Sequence, residues 1–216
     1  MFLGYPRGNV MSKQKSNTAQ DEEPGKTSEN RKKILATSLR LFTAQGVDAT
    51  PTAQISKEAG LSTGTLFHYF PDKNNLVEQL YLSIKKEMAG VFRANDDETL
   101  PIKQRLERCL RGYILWGMAN PEKVRFLEQF YNSPSICDEE KCQACDDFAW
   151  LMKLGKTAIH EGLLRDLPCE FYMVMISRIL DGILFLSESR SSGMSQEEII
   201  ENGIAMLWNR DTGSQS

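Results

Sequence analysis

Hydrogen-bonding side chains concentrate between residues 52 and 73, Thr-Ala-Gln-Ile-Ser-Lys-Glu-Ala-Gly-Leu-Ser-Thr-Gly-Thr-Leu-Phe-His-Tyr-Phe-Pro-Asp-Lys. Ser62, Thr63, Thr65, His68 and Tyr69 fall close together, and Gly64 removes a side chain where a backbone could approach. Short hydroxyls and backbone amides at a helix N-terminus suit phosphate oxygens and base edges. Lys73 starts the next helical segment and can reach a phosphate. A second group, Cys137-x4-Cys142-x2-Cys145, puts two thiols one helical turn apart beside Asp138, Glu139 and Glu140, with His160 further on. That set is conceivable as a soft-metal or redox sensor. No second CxxC accompanies it, and acidic neighbours raise a thiol's pKa, so unreactive helix cysteines are the expectation. Enzymatic sets are missing: His160-Glu161 is followed by Gly-Leu-Leu, not by the second His of a zinc motif, and no glycine-rich phosphate loop occurs. No catalysis and no cofactor are expected.

Elements of helical period must hold these groups. Ile34, Leu35, Ser38, Leu39 and Phe42 share one face of a helix from Asn30, which Gly46 stops. Thr52 is placed to cap a short helix with Ile55 and Ala59 on its face, ended by Gly60. Ser62 or Thr63 caps a third helix, which Pro71 breaks, and Asp72 caps a long fourth. A short helix, a turn through Gly60 and a second short helix make a helix-turn-helix. Further helical segments follow at about 100–119, after Asn120-Pro121, at about 138–161, at about 169–187 and at about 197–208. The last opens with Ser195-Gln-Glu-Glu198, a capping-box pattern. The expected fold class is all-α, with about nine helices and no sheet.

Composition agrees with a globular chain. The 216 residues are 41% hydrophobic and 25% charged, which excludes wholesale disorder. The longest apolar run, Phe171 to Ile176, is far too short for a membrane span. With no signal-peptide core at the start, a cytoplasmic location without membrane association is expected, and the five cysteines are expected to be reduced. Residues 1–27 have the composition of a disordered arm, within which Met11 is an alternative start. Residues 26–75 carry a surplus of three cations, and residues 76–216 a surplus of six anions. A basic unit joined to an acidic one points to a polyanion partner for the first part alone. The expected divisions are 1–27, 28–75 and 76–210.

The spaced pattern Phe42-x3-Gly46-x5-Thr52-x2-Ile55-x3-Ala59-Gly60-Leu61-Ser62-x-Gly64-x-Leu66-Phe67-x-Tyr69-Phe70-x2-Lys73 resembles the DNA-binding domain of TetR-family transcriptional regulators. The resemblance covers about 31–77. It implies an N-terminal three-helix reading head, a C-terminal helical domain for ligand binding and dimerisation, and a homodimer on a near-palindromic double-stranded operator. It implies that Thr63 and Thr65 meet bases and that His68 meets a base or a thymine methyl. Thr52, Tyr69 and Lys73 would grip phosphates. Ser62 and Gly64 belong to the same face, and Phe67, where the family usually has tyrosine, would pack without donating a hydrogen bond. An inducer, apolar or amphipathic, would lie among Tyr113, Trp116, Phe126, Phe130 and Phe148. Met175, Ile179, Gly182, Ile183 and Leu186 would form the dimer seam. The alternative is a thiol- or metal-sensing regulator that uses Cys137, Cys142 and Cys145.

Overall fold

Local chemistry sets where the helices begin and end. In the computed structural model, which describes residues 24–130, 147–189 and 193–208, these are α1 Pro24–Gln45, α2 Thr52–Glu58, α3 Thr63–Tyr69, α4 Lys73–Asn95, α5 Ile102–Ala119, α6 Pro121–Phe130, α7 Ala149–His160, α8 Cys169–Ser189 and α9 Gln196–Ala205. No strand occurs among the described residues. Gly46 takes φ 86° after α1 and Gly60 takes φ 70° between α2 and α3, a region that costs glycine little. Ser62 caps α3, Asp72 caps α4, and Ser195 with Glu198 forms the full capping box of α9.

Four sequence expectations change. Thr52 does not cap α2: it is the first helical residue, Pro51 stands at the cap position, and no side chain bonds there. The first helix starts at Pro24, so residues 24–27, assigned by composition to the arm, continue it. Proline tolerates a first turn because its missing N–H would have no partner there. The last helix stops at Ala205, short of Trp208. The segment expected at 138–161 is described from Asp147 onward as a turn and then α7.

α2 and α3 have seven residues each, too few to stand alone in water. They are held by Ile55 and Leu66, both fully buried with Ile34, Phe42, Phe70 and Leu76. That core continues past residue 75 through Val77, Leu80, Tyr81 and Ile84 of α4, and it takes Phe126 from α6. Phe126 is 0% exposed and its ring stacks on Phe42 at 6.3 Å between centroids, 17° from parallel. A second core joins α4, α5, α8 and α9 through Phe92, Leu110, Ile114, Leu180, Ile183 and Ile200. A third gathers Leu106, Leu154, Ala158 and Leu164.

Polar contacts fix the angles between the longer helices. Asp96 and Arg105 close the α4–α5 turn with two bonds of 2.8 and 2.9 Å, both side chains largely buried. The guanidinium holds the Asp96 carboxyl below its ordinary range. Arg111 of α5 donates to Glu197 and Glu201 of α9. Cys109 is buried, its thiol 3.3 Å from the Phe92 carbonyl, and burial pushes that thiol up to about 11. Cys109 is therefore a packing residue. Gly203 faces Ile183, where an added Cβ would lie 2.3 Å from the isoleucine methyl. Ile183, 3% exposed, thus packs inside the protomer and leaves the expected seam.

Because Phe126 closes the core that carries α2 and α3, Phe126→Ala should cost about 3–5 kcal/mol. Denaturant unfolding would measure the loss. Hydrogen exchange should quicken in α1–α3 as well as in α6.

Candidate nucleic-acid interface and ligand cleft

The third helix turns one face inward and leaves the other bare. Leu66 and Phe70 are fully buried, while Ser62, Thr63, Gly64, Phe67 and His68 are exposed and Thr65 and Tyr69 half-buried. Phe67 is 43% exposed, a large aromatic face open to solvent. The Ser62 hydroxyl accepts from the Thr65 N–H at 3.0 Å and meets the Thr65 hydroxyl at 2.8 Å. Thr63 reaches the buried Ser56 hydroxyl at 3.1 Å, which ties α3 to α2. Each hydroxyl keeps further bonding capacity, since an O–H donates once and accepts twice. A Cβ on Gly64 would meet nothing nearer than Ser62 Oγ at 3.7 Å, so interior packing does not demand glycine there. The rings of His68 and Tyr69 meet edge to face at 5.3 Å.

Further hydrogen-bonding and charged groups flank this face. Thr52 stands at the N-terminus of α2, and Lys73 at that of α4, with its ammonium 3.4 Å from the Asp48 carbonyl. Arg40 pairs with Glu58, and Gln54 donates to the same carboxylate, which clamps α1 on α2. All nine residues expected to face DNA thus lie on α3 or on the adjoining helix starts.

The expected ligand aromatics separate. Tyr113 is buried and stacked between Phe92, at 5.3 Å, and Trp116, at 5.8 Å. Phe148 is buried, edge-on to Phe92, with the Lys85 ammonium over its ring. Trp116 is half-buried and its indole N–H donates to Glu87 at 2.8 Å, beside Lys123 at 2.6 Å from the same carboxylate oxygen. Phe126 belongs to the head core and borders neither of the two cavities described below. The Phe130 side chain, and Cys137, Cys142 and Cys145, lie outside the described residues.

Open space lies elsewhere, between α6 and α8. A cavity of about 410 Å³ is bounded by Gly117, Val124, Arg125, Glu128, Asp181, Leu184 and Phe185, among others. A second, of about 100 Å³, runs under Tyr81, Met88, Tyr113 and Leu127. The two share Val124, Glu128 and Asp181. Of the expected aromatics whose side chains are described, Tyr113 alone borders either. The floor depends on Gly117: a Cβ there would lie 2.9 Å from both Leu184 methyls. The signal in the sequence was the pair of stripes 121/124/125/128 and 177/178/181/184/185, at helical spacing and each mixing apolar with charged residues.

Comparison with known proteins fits this geometry. The family profile described as bacterial regulatory proteins, tetR family, matches residues 34–80. Those bounds are Ile34 and Leu80, both in the head core. A solved TetR-family transcription regulator from Shewanella sp. PV-4 is 31% identical, with a TM-score of 0.77 over 83% of this chain and 96% of that one. The chain belongs to the TetR family. A TetR-family regulator from Marinobacter aquaeolei VT8, 20% identical, has the same fold at a TM-score of 0.79, over 87% of this chain and all of that one. An HTH-type transcriptional regulator of Haemophilus influenzae is 23% identical over 81% of this chain and 91% of its own length. The chain is a helix-turn-helix transcriptional regulator of the TetR family, and no helix among its described residues is long and apolar enough to cross a membrane.

In this TetR-family head the cap of α3 is a single side chain. Ser62→Ala should therefore cost about 1 kcal/mol. A lowered unfolding midpoint should accompany faster amide exchange at Thr65, and restoration of both by Ser62→Asp would identify the cap as the cause.

Proposed function

We propose that the chain binds a near-palindromic operator as a homodimer and leaves it when a small molecule occupies the α6–α8 cleft, which makes it a repressor. The observation that carries this reading is the position of α6. Phe126 closes the core beneath α2 and α3, while Val124, Arg125 and Glu128 of the same helix form the cleft wall. A ligand that shifts α6 acts on the head through packed atoms, and packed cores respond in discrete arrangements. α4 offers a parallel route, since it begins at Lys73 beside the DNA face and lines the smaller cavity with Tyr81, Lys85 and Met88. The ligand need only prefer one arrangement over the other.

On DNA, Thr63 and Thr65 would read base edges in the major groove, with His68 and Phe67 against bases or thymine methyls. Ser62 and Gly64 would bring backbone amides near phosphate. Thr52, Tyr69 and Lys73 would hold the phosphates. Two heads about 34–36 Å apart fit successive major grooves, and a state with another spacing loses one half-site.

Pairing would use the outer face of α8. Met175, Gly182 and Leu186 are exposed there, in line with Phe171, Val174 and Phe185. Ile179 is half-buried at its edge. Spacings of three and four give one continuous stripe, suited to packing against its two-fold copy.

Two experiments test the reading. An operator is first selected from a randomised duplex pool. Lys73→Ala should then weaken binding to operator and scrambled duplex alike and lower the salt slope by about one unit. An unchanged slope would remove Lys73 from the phosphate contacts. Gly182→Arg should give folded monomers by sedimentation, because nothing lies within 4 Å of the added Cβ in one protomer. A persistent dimer would place the seam on another face.

A further inference from the structure

We propose that the α6–α8 cleft takes an amphipathic organic cation, its charged head between Asp181 and Glu128 and its apolar part along Val124, Leu184 and Phe185. The inference rests on the ligand-response reading above and names the chemistry of its ligand. The space is right for an amphiphile: the larger cavity, about 410 Å³, falls within the range of small-molecule sites. Val124, Glu128 and Asp181 line both it and the smaller one, so a carboxylate from each helix stands at the junction of the two.

Asp181 is the inner charge. Its side chain is 26% exposed, against 56% for Arg178, its ion-pair partner. The pair is 3.4 Å apart, longer than the 2.7–2.9 Å usual for charge-assisted bonds. Burial raises the Asp181 carboxyl above its ordinary value despite that arginine. The Tyr113 phenol feels both carboxylates: after burial, Asp181 and then Glu128 oppose its ionisation. Arg125 is exposed at the rim of the larger cavity, and Lys85, on the smaller one, has its ammonium 4.7 Å over the Phe148 ring. The Ser187 hydroxyl, buried on the wall of the larger cavity, has no hydrogen-bond partner among the described residues.

Ligand classes then separate by charge. An anion entering the junction meets two carboxylates, while of the cations on the walls Arg178 is already paired with Asp181, Lys85 lies over the Phe148 ring and Arg125 is exposed at the rim. A neutral apolar molecule strips water from Asp181 and returns no interaction, which is costly for a charged group. A cation restores what the carboxylate lost on burial, and its chain covers Val124, Leu184 and Phe185. The ring of Tyr113, at the smaller cavity, adds a face that attracts cations.

Three probes of one chain length test this: decyltrimethylammonium, decanol and decanoate, each titrated calorimetrically into the protein below its micelle concentration. The cation should bind most tightly. Asp181→Asn should weaken it at least tenfold and strengthen decanoate, with Glu128→Gln acting in the same direction. Circular dichroism and thermal melting of both isosteric variants would confirm the native fold. Cation affinity unchanged in the folded Asp181→Asn variant, tighter binding of decanol or decanoate by the parent, or no binding of any probe would overturn the proposal. Addition of each probe to the protein on its selected operator separates the two readings. Asp181-dependent cation binding that leaves operator affinity unchanged would uphold the site and sink the ligand response. Operator release by decanol or decanoate, but not by the cation, would uphold the response and overturn the cation preference.

Discussion

The stack of Phe126 on Phe42 is the contact that makes one object of the molecule. Two seven-residue helices cannot order themselves, and α1 with α4 leaves their core short of a wall. An aromatic side chain from a helix some fifty residues downstream of α3 supplies it. From that the rest follows in sequence. α6 is seated on α1, its other face is turned to α8, and the gap that remains between α6 and α8 is the cleft. Gly117 lets α5 close on α8 at its edge, since a Cβ there would lie 2.9 Å from both Leu184 methyls. The open space is the residue of satisfying the head first.

Charged groups divide into braces and surfaces. Asp96 and Arg105 are nearly buried and doubly bonded, so they fix the α4–α5 turn. Loss of either partner would strand a charge. Arg111 with Glu197 and Glu201, and Lys123 with Glu87, lie in solvent, where such pairs contribute little stability but do favour one angle between helices. The Glu87–Lys123 pair matters by position: it fastens α6 to α4 on the side of α6 away from the cleft.

What the sequence made legible was local. Gly46, Gly60, Pro71, Ser62 and Asp72 announce turns and caps by their own chemistry, so the head could be drawn residue by residue. The Ser195–Glu198 box was equally readable. The Thr52 cap failed because a threonine after proline can open a helix from inside as well as cap it from outside. The start of α1 was hidden because its first turn, Pro24-Gly-Lys-Thr, holds no apolar residue for periodicity to report. Partners were harder still. Phe126 has the spacing of a buried residue, but spacing does not say which neighbour covers it. α8 is apolar on more than one side, so Ile183, inside, and Met175, outside, look alike in the sequence. The cleft was the least visible feature, since empty space is a property of how faces meet. Its traces were Gly117 and the mixed apolar and charged stripes of α6 and α8.

The outer stripe of α8 carries a colloidal consequence. Phe185 is 67% exposed, and Phe171, Val174, Met175 and Leu186 stand bare along the same helix. The whole chain has a formal net charge of −3, and salt screens charge over about 8 Å at physiological strength, so repulsion does not act on such faces until they are close. With the pairing proposed above, solubility and self-association become one property of this protein. Apolar substitutions that merely misfit the stripe leave it sticky and lead to precipitate. A tractable single protomer calls for charge on the stripe itself, where it hydrates the face that must otherwise find a cover.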